Sequence, residues 1–143
     1  MIYELGILHH GIPLISRQYY EEYKVDPLLR GGFLSALNSF AEEVFSDEID
    51  SFNMKNFKII VLSQPFANTS ERIFSYCIGG RKISPKVAKR ALIRILEEFN
   101  QKYSHLKTLA CDLAIFEEFL PILDEILGDL ARSTDERARS VFG

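Results

Sequence analysis

The sequence predicts an α+β sandwich: one five-stranded, mainly antiparallel sheet with one helix on one face and two on the other. Three observations lead there. Two segments near the N-terminus are joined only by the turn chemistry of His10-Gly11-Ile12-Pro13, which makes them an antiparallel hairpin. The segments 2–8, 57–62 and 73–78 are apolar at nearly every position, as strands covered on both faces are, whereas 14–20 and 49–54 mix polar and apolar residues. Elsewhere, apolar residues recur at helical steps of three and four. Doubly covered strands belong in the middle of a sheet and mixed strands at its margins. The chain β-β-α-β-β-β-α-α therefore takes the spatial order 2-1-5-4-3.

Each element has a local cause. The first helix is capped by Asp26 and has Pro27 at its first position, where the missing N–H costs nothing. Leu29, Phe33, Ala36, Leu37, Phe40, Ala41 and Val44 form its expected buried stripe, which ends near Phe45. Gly31-Gly32 weakens that helix by about 1 kcal/mol per residue relative to Ala, unless close packing requires them. The third strand is expected over Ile49–Met54, and Lys55-Asn56 turns it into the fourth. A loop follows over Gln64–Glu71, and Gly79-Gly80 ends the fifth strand.

Ser84-Pro85 repeats the cap-and-proline start, with Ala88, Leu92, Ile95, Leu96, Phe99 and Tyr103 on one side of the helix behind it. The last stripe runs through Leu113, Phe116, Phe119, Leu120, Leu123, Ile126, Leu127 and Leu130. Pro121 lies inside it and is expected to kink or divide it. Residues 1–131 read as the folded domain and 132–143 as a polar tail.

Composition narrows the function. A chain of 143 residues forms one domain and buries roughly 68% of its unfolded surface. A net charge of −3 argues against a general nucleic-acid binder. No apolar run approaches the ~20 residues that cross a bilayer. Met1-Ile2-Tyr3-Glu4 has neither the basic stretch nor the cleavage site of a signal peptide, and Cys77 and Cys111 make no disulfide framework. The expectation is a cytoplasmic protein with at most peripheral membrane contact.

The element order resembles the longin domain of trafficking proteins, in the roadblock/longin superfamily; a roadblock fold begins with a helix, and this chain begins with a strand. Ile95-Leu96-Glu97-Glu98-Phe99, Cys111-Asp112-Leu113-Ala114-Ile115-Phe116 and Ile122-Leu123-Asp124-Glu125-Ile126-Leu127 are similar to the adaptor small-chain pattern. Gly32-Phe33-Leu34-Ser35-Ala36-Leu37 after the hairpin resembles archaeal longin-like proteins and exchange-complex subunits. The resemblance implies a non-catalytic protein-interaction module, either a platform for a small Ras-like GTPase or a subunit of a vesicle-trafficking complex. It also implies a homo- or heterodimer through the third strand and first helix. No heptad coiled coil or membrane anchor is present, so a SNARE-type fusion role is not expected.

Among residues that could carry chemistry, most fit packing. His9 and His10, as neighbours in a strand, should point to opposite faces, which leaves them structural. Cys77 reads as a small hydrophobe, and Cys111 near a helix start as a weak candidate nucleophile, alone or with a histidine. Gly79-Gly80-Arg81-Lys82-Ile83-Ser84 lacks the spacing of a phosphate loop, so it reads as a strand end and a helix cap, or else as a helix N-terminus whose two flanking cations hold an anion. No catalytic set, cofactor or metal is expected.

Binding residues are therefore sought on the surface. Ile49, Ser51, Phe52, Asn53 and Met54 form an edge strand able to accept a further strand, or one guarded by Asp50 and Lys55. Arg81, Lys82, Lys86, Lys89, Arg90 and Arg94 form either a solvated face or a patch for anionic lipid or an acidic partner, at about 1 kcal/mol per charge near such a lipid surface. Glu42, Glu43, Asp47, Glu48 and Asp50 make the acidic counterpart. The alternative function is a small-molecule sensor with its ligand between the sheet and the Pro121 helix.

Overall fold

The computed structural model describes residues 2–19, 27–45, 50–67, 69–109 and 112–129. Tyr20, Asp26, Asp47, Glu48, Ile49, Cys111, Leu130 and the tail 132–143 lie outside the described residues, as do the side chains of Leu29, Phe40, Ala41 and Val44.

The elements are β1 (Ile2–His9), β2 (Ile12–Gln18), α1 (Pro27–Phe45), β3 (Ser51–Asn53), β4 (Phe57–Pro65), β5 (Arg72–Gly80) and α2 (Pro85–Tyr103). A 3-10 segment, Leu113–Phe119, then leads into a final helix, α3, described over 120–129. The five strands form one antiparallel sheet in the order β2-β1-β5-β4-β3, as the covered and mixed strand patterns require.

Alternation along each central strand divides the core in two. Leu5 and Ile7 of β1, Ile60 of β4, and Ile73 and Cys77 of β5 face α2 and α3. Leu8, Ile59, Val61, Tyr76 and Ile78 face α1, where Leu34 meets them. The α2 side is dense with aromatics. Phe99 lies 4.8 Å from Tyr103, 5.5 Å from both Phe116 and Phe119, and 6.1 Å from Phe66, ring centre to ring centre. Such rings gain packing energy beyond their burial.

Three boundaries or faces that bear on the candidate sites differ from the sequence expectation, and a fourth feature resolves an alternative left open; β4 also runs on to Pro65, two residues into the expected loop. First, β2 starts at Ile12, because the hairpin loop is only His10-Gly11. Both have positive φ (52° and 76°), the two-residue turn that matches strand twist.

Second, β3 is a short ladder of three residues, yet pairing runs past it. Val61 N–H donates to the Asp50 carbonyl, and Met54 N–H donates to that of Phe57.

Third, α1 is rotated from its expected face. Gly31 and Leu34 are buried, while Phe33 and Ala36 are exposed. A Cβ on Gly31 would run into the Gly11 carbonyl oxygen. The hairpin turn thus sets the roll of the helix, and Gly32, with open space around it, has no such role.

Fourth, of the two outcomes expected at Pro121, the last stripe is divided and not kinked. Pro121 falls in the first turn of α3, where a missing N–H is tolerated, and Leu113 is left exposed in the 3-10 segment ahead of it. Asp112 caps that segment by accepting from Ala114 N–H at 3.0 Å.

Candidate functional site

Three places on the molecule offer chemistry or contact surface. The first is the rim where β3 and α1 meet. Phe33 is 46% exposed and Met54 36%, and the ring of Phe33 stands edge-on to that of half-buried Phe52 at 6.2 Å. Among the described residues no strand lies outside β3. Ser51, Asn53 and Asp50 are exposed beside it, so the rim is apolar with a polar border. Of the acidic cluster, Glu42 and Glu43 are exposed on the α1 surface, and Asp50 pairs with Lys89 at 2.5 Å.

The second is a cavity of about 430 Å³ between α1 and the sheet. Its floor is Leu8, Ile59, Val61 and Phe74, and α1 roofs it with Leu34 and Leu37. One end is polar, with His10, Glu71 and Arg72. This volume falls within the range of small-molecule sites. It opens on the α1 face, whereas the sequence placed a ligand pocket under the Pro121 helix. There Phe99, Phe116 and Phe119 fill the space instead.

The third is the cluster His9, His10 and Glu71 at that polar end. The histidines do not diverge as strand neighbours would. His10 begins the hairpin turn at positive φ, which brings the two rings to 4.1 Å between centres. Glu71, just ahead of β5, places Oε1 3.6 Å from His9 Nε2. Its position is held locally: its N–H donates to Thr69 Oγ1, and its carbonyl accepts from Phe66 N–H. The same loop is tied to α2 by Asn100, which accepts from Ala67 N–H and donates to the Pro65 carbonyl. Burial, then the neighbouring His10, hold the His9 pKa below its ordinary value, with Glu71 opposing them.

The basic run is divided by its partners. Arg94 donates to Asp129 at 2.6 Å and lies near Glu98 and Glu125, and Lys89 is paired with Asp50. Arg81, Lys82, Lys86 and Arg90 are exposed and form no ion pair among the described residues. The glycine-rich turn after β5 closes on itself, with Ile83 N–H donating to the Gly80 carbonyl, and Ser84 Oγ caps α2 by accepting from Val87 N–H. Burial pushes the Cys77 thiol up to about 12, which disfavours a nucleophilic thiolate there.

Glu71 and the exposed Phe33 were not legible as functional residues. One weak signal existed for the cluster: the turn position that favours Asn carries histidine. Comparison with known proteins found no matching family model and no matching curated protein. Among the described residues, no helix is long and apolar enough to cross a membrane.

Proposed function

We propose that this chain is a longin-type protein-interaction module without catalytic activity of its own, acting in the cytoplasm. It pairs through β3 and α1 with a second domain of the same fold, either another copy or a related longin or roadblock subunit. The pair would serve as a platform for a small Ras-like GTPase or within a trafficking complex. One observation carries the reading: the outermost strand and the helix beside it share a solvent-facing aromatic contact, Phe33 on Phe52, with Met54 at its margin. An outermost strand next to an apolar helix face suits strand addition, and a twofold pairing would cover both at once. The element order supports the longin likeness.

Light scattering on the purified chain tests the pairing, and capture of a GTPase from cell extract, with GDP and with a GTP analogue, tests the platform. A monomer that captures no GTPase in either nucleotide state would remove the reading.

The cavity favours a second reading, a sensor of a small, largely apolar molecule with one anionic group near Arg72. Retention of such a molecule through purification, seen by mass spectrometry, would favour it over the first.

A further inference from the structure

His9 is buried, with 8% of its surface exposed, and its Nε2 lacks a hydrogen-bond partner among the described residues. The same is true of Glu71 Oε2. Buried polar atoms are nearly always satisfied, so two such atoms in one cluster need a common explanation. The 3.6 Å between His9 Nε2 and Glu71 Oε1 is longer than a hydrogen bond. It is close to the separation of two ligands on one cation: atoms each about 2.1 Å from a tetrahedral zinc lie about 3.4 Å apart.

A third donor is present. The ligand atoms of His9, His10 and Glu71 all lie within 4.8 Å of one another. His10 is exposed, so its ring can close the remaining distance by side-chain rotation. The turn explains how that donor is brought in: His10 takes φ 52°, a conformation histidine adopts more readily than most residues, and its ring comes to lie 4.1 Å from that of His9.

We propose that His9, His10 and Glu71 form a binding site for a divalent transition metal of the zinc class. Two imidazoles and one carboxylate suit zinc, cobalt or nickel and not calcium or magnesium, which prefer oxygen ligands throughout. Three protein ligands leave a further position for water or another donor. His10 and Glu71 also line the cavity, so a bound metal would adjoin whatever occupies that space. The site is separate from the β3–α1 rim and stands or falls independently of the pairing.

The test uses the whole chain, stripped with a chelator and titrated with zinc by calorimetry. One equivalent should bind, and zinc at a hundredfold above its Kd should raise Tm by about 8 °C. His10→Asn removes the imidazole but keeps a residue that tolerates positive φ, so the metal-free Tm should hold while zinc affinity falls at least about tenfold. Glu71→Gln should weaken zinc similarly, and His105→Ala, an exposed histidine just past the end of α2 and outside the cluster, should leave it unchanged. No stoichiometric zinc binding would overturn the site, as would binding equally tight in the His10 and Glu71 variants. Magnesium competing on equal terms with zinc would overturn the metal class.

Discussion

Arg17 on the outer strand β2 grips Asp124 on α3 with two hydrogen bonds, Nε to Oδ1 at 3.3 Å and Nη2 to Oδ2 at 3.0 Å. Tyr19 adds its hydroxyl to Oδ1 at 3.1 Å. One carboxylate thus ties the last helix to the margin of the sheet. Both charged side chains are about two-fifths exposed (44% and 40%), so solvent screening limits the pair to about 1 kcal/mol. Asp124→Ala should cost about that much in urea unfolding and loosen α3 first, which hydrogen exchange can localise.

The same carboxylate governs an ionisation. Burial, then the hydrogen bond to Asp124, raise the Tyr19 pKa above its usual 10. A raised folded-state pKa gives stability that is complete below the unfolded value and is lost as pH rises through the folded one. Asp124→Asn should therefore move the Tyr19 phenolate transition downward in an absorbance titration. An unmoved transition would mean that burial alone sets it.

Two adjacent glycines should respond in opposite directions. A side chain at Gly31 meets the backbone of the hairpin turn, while Gly32 faces open space in the same helix. Gly32→Ala should raise stability by roughly 0.5–1 kcal/mol through helix propensity. Gly31→Ala should lower it, since backbone must shift to admit a methyl group. Thermal unfolding of the two variants decides the point, and equal shifts would contradict the docking of α1 on the turn.

The rim prediction concerns association rather than folding. Phe52→Asp should abolish self-association by placing a charge on the outer strand, and Phe33→Asp should do the same from the helix side. Because Phe52 also packs on the α1-side core, the exposed Phe33 and Met54 positions provide the cleaner variants. A wild-type dimer whose mass survives Phe33→Asp and Met54→Asp would place its interface elsewhere.

Cys77 should be inert in the folded state. It is 1% exposed, and its thiol is held near 12, so a thiol reagent at neutral pH should modify it only when the domain opens. Labelling by mass spectrometry should track unfolding with denaturant; prompt labelling at Cys77 in buffer would show that β5 is open to solvent.

The layers and strand order were legible because burial writes itself into composition. A strand covered on both faces, such as Ile59 to Leu62, cannot carry polar residues without a cost, so the central strands announce themselves. The cap at Ser84 was equally plain, since a short polar side chain ahead of a helical stripe satisfies its first N–H groups. The roll of α1 was not legible. Phe33 and Leu34 are both apolar, and only the approach of Gly31 to the hairpin decides which of them turns inward.

The candidate sites show the same division. Sequence alone determined that β3 lies outermost, from its mixed residues. It could not determine that Phe33 would stand beside Phe52, because α1 and β3 are separate elements brought together by their packing on one sheet face. Nor could it join His9 and His10 to Glu71, 61 residues beyond His10. Local patterns report how each segment meets water or core; the meeting of distant side chains depends on backbone angles at one turn and the seating of one loop, which only the folded chain specifies.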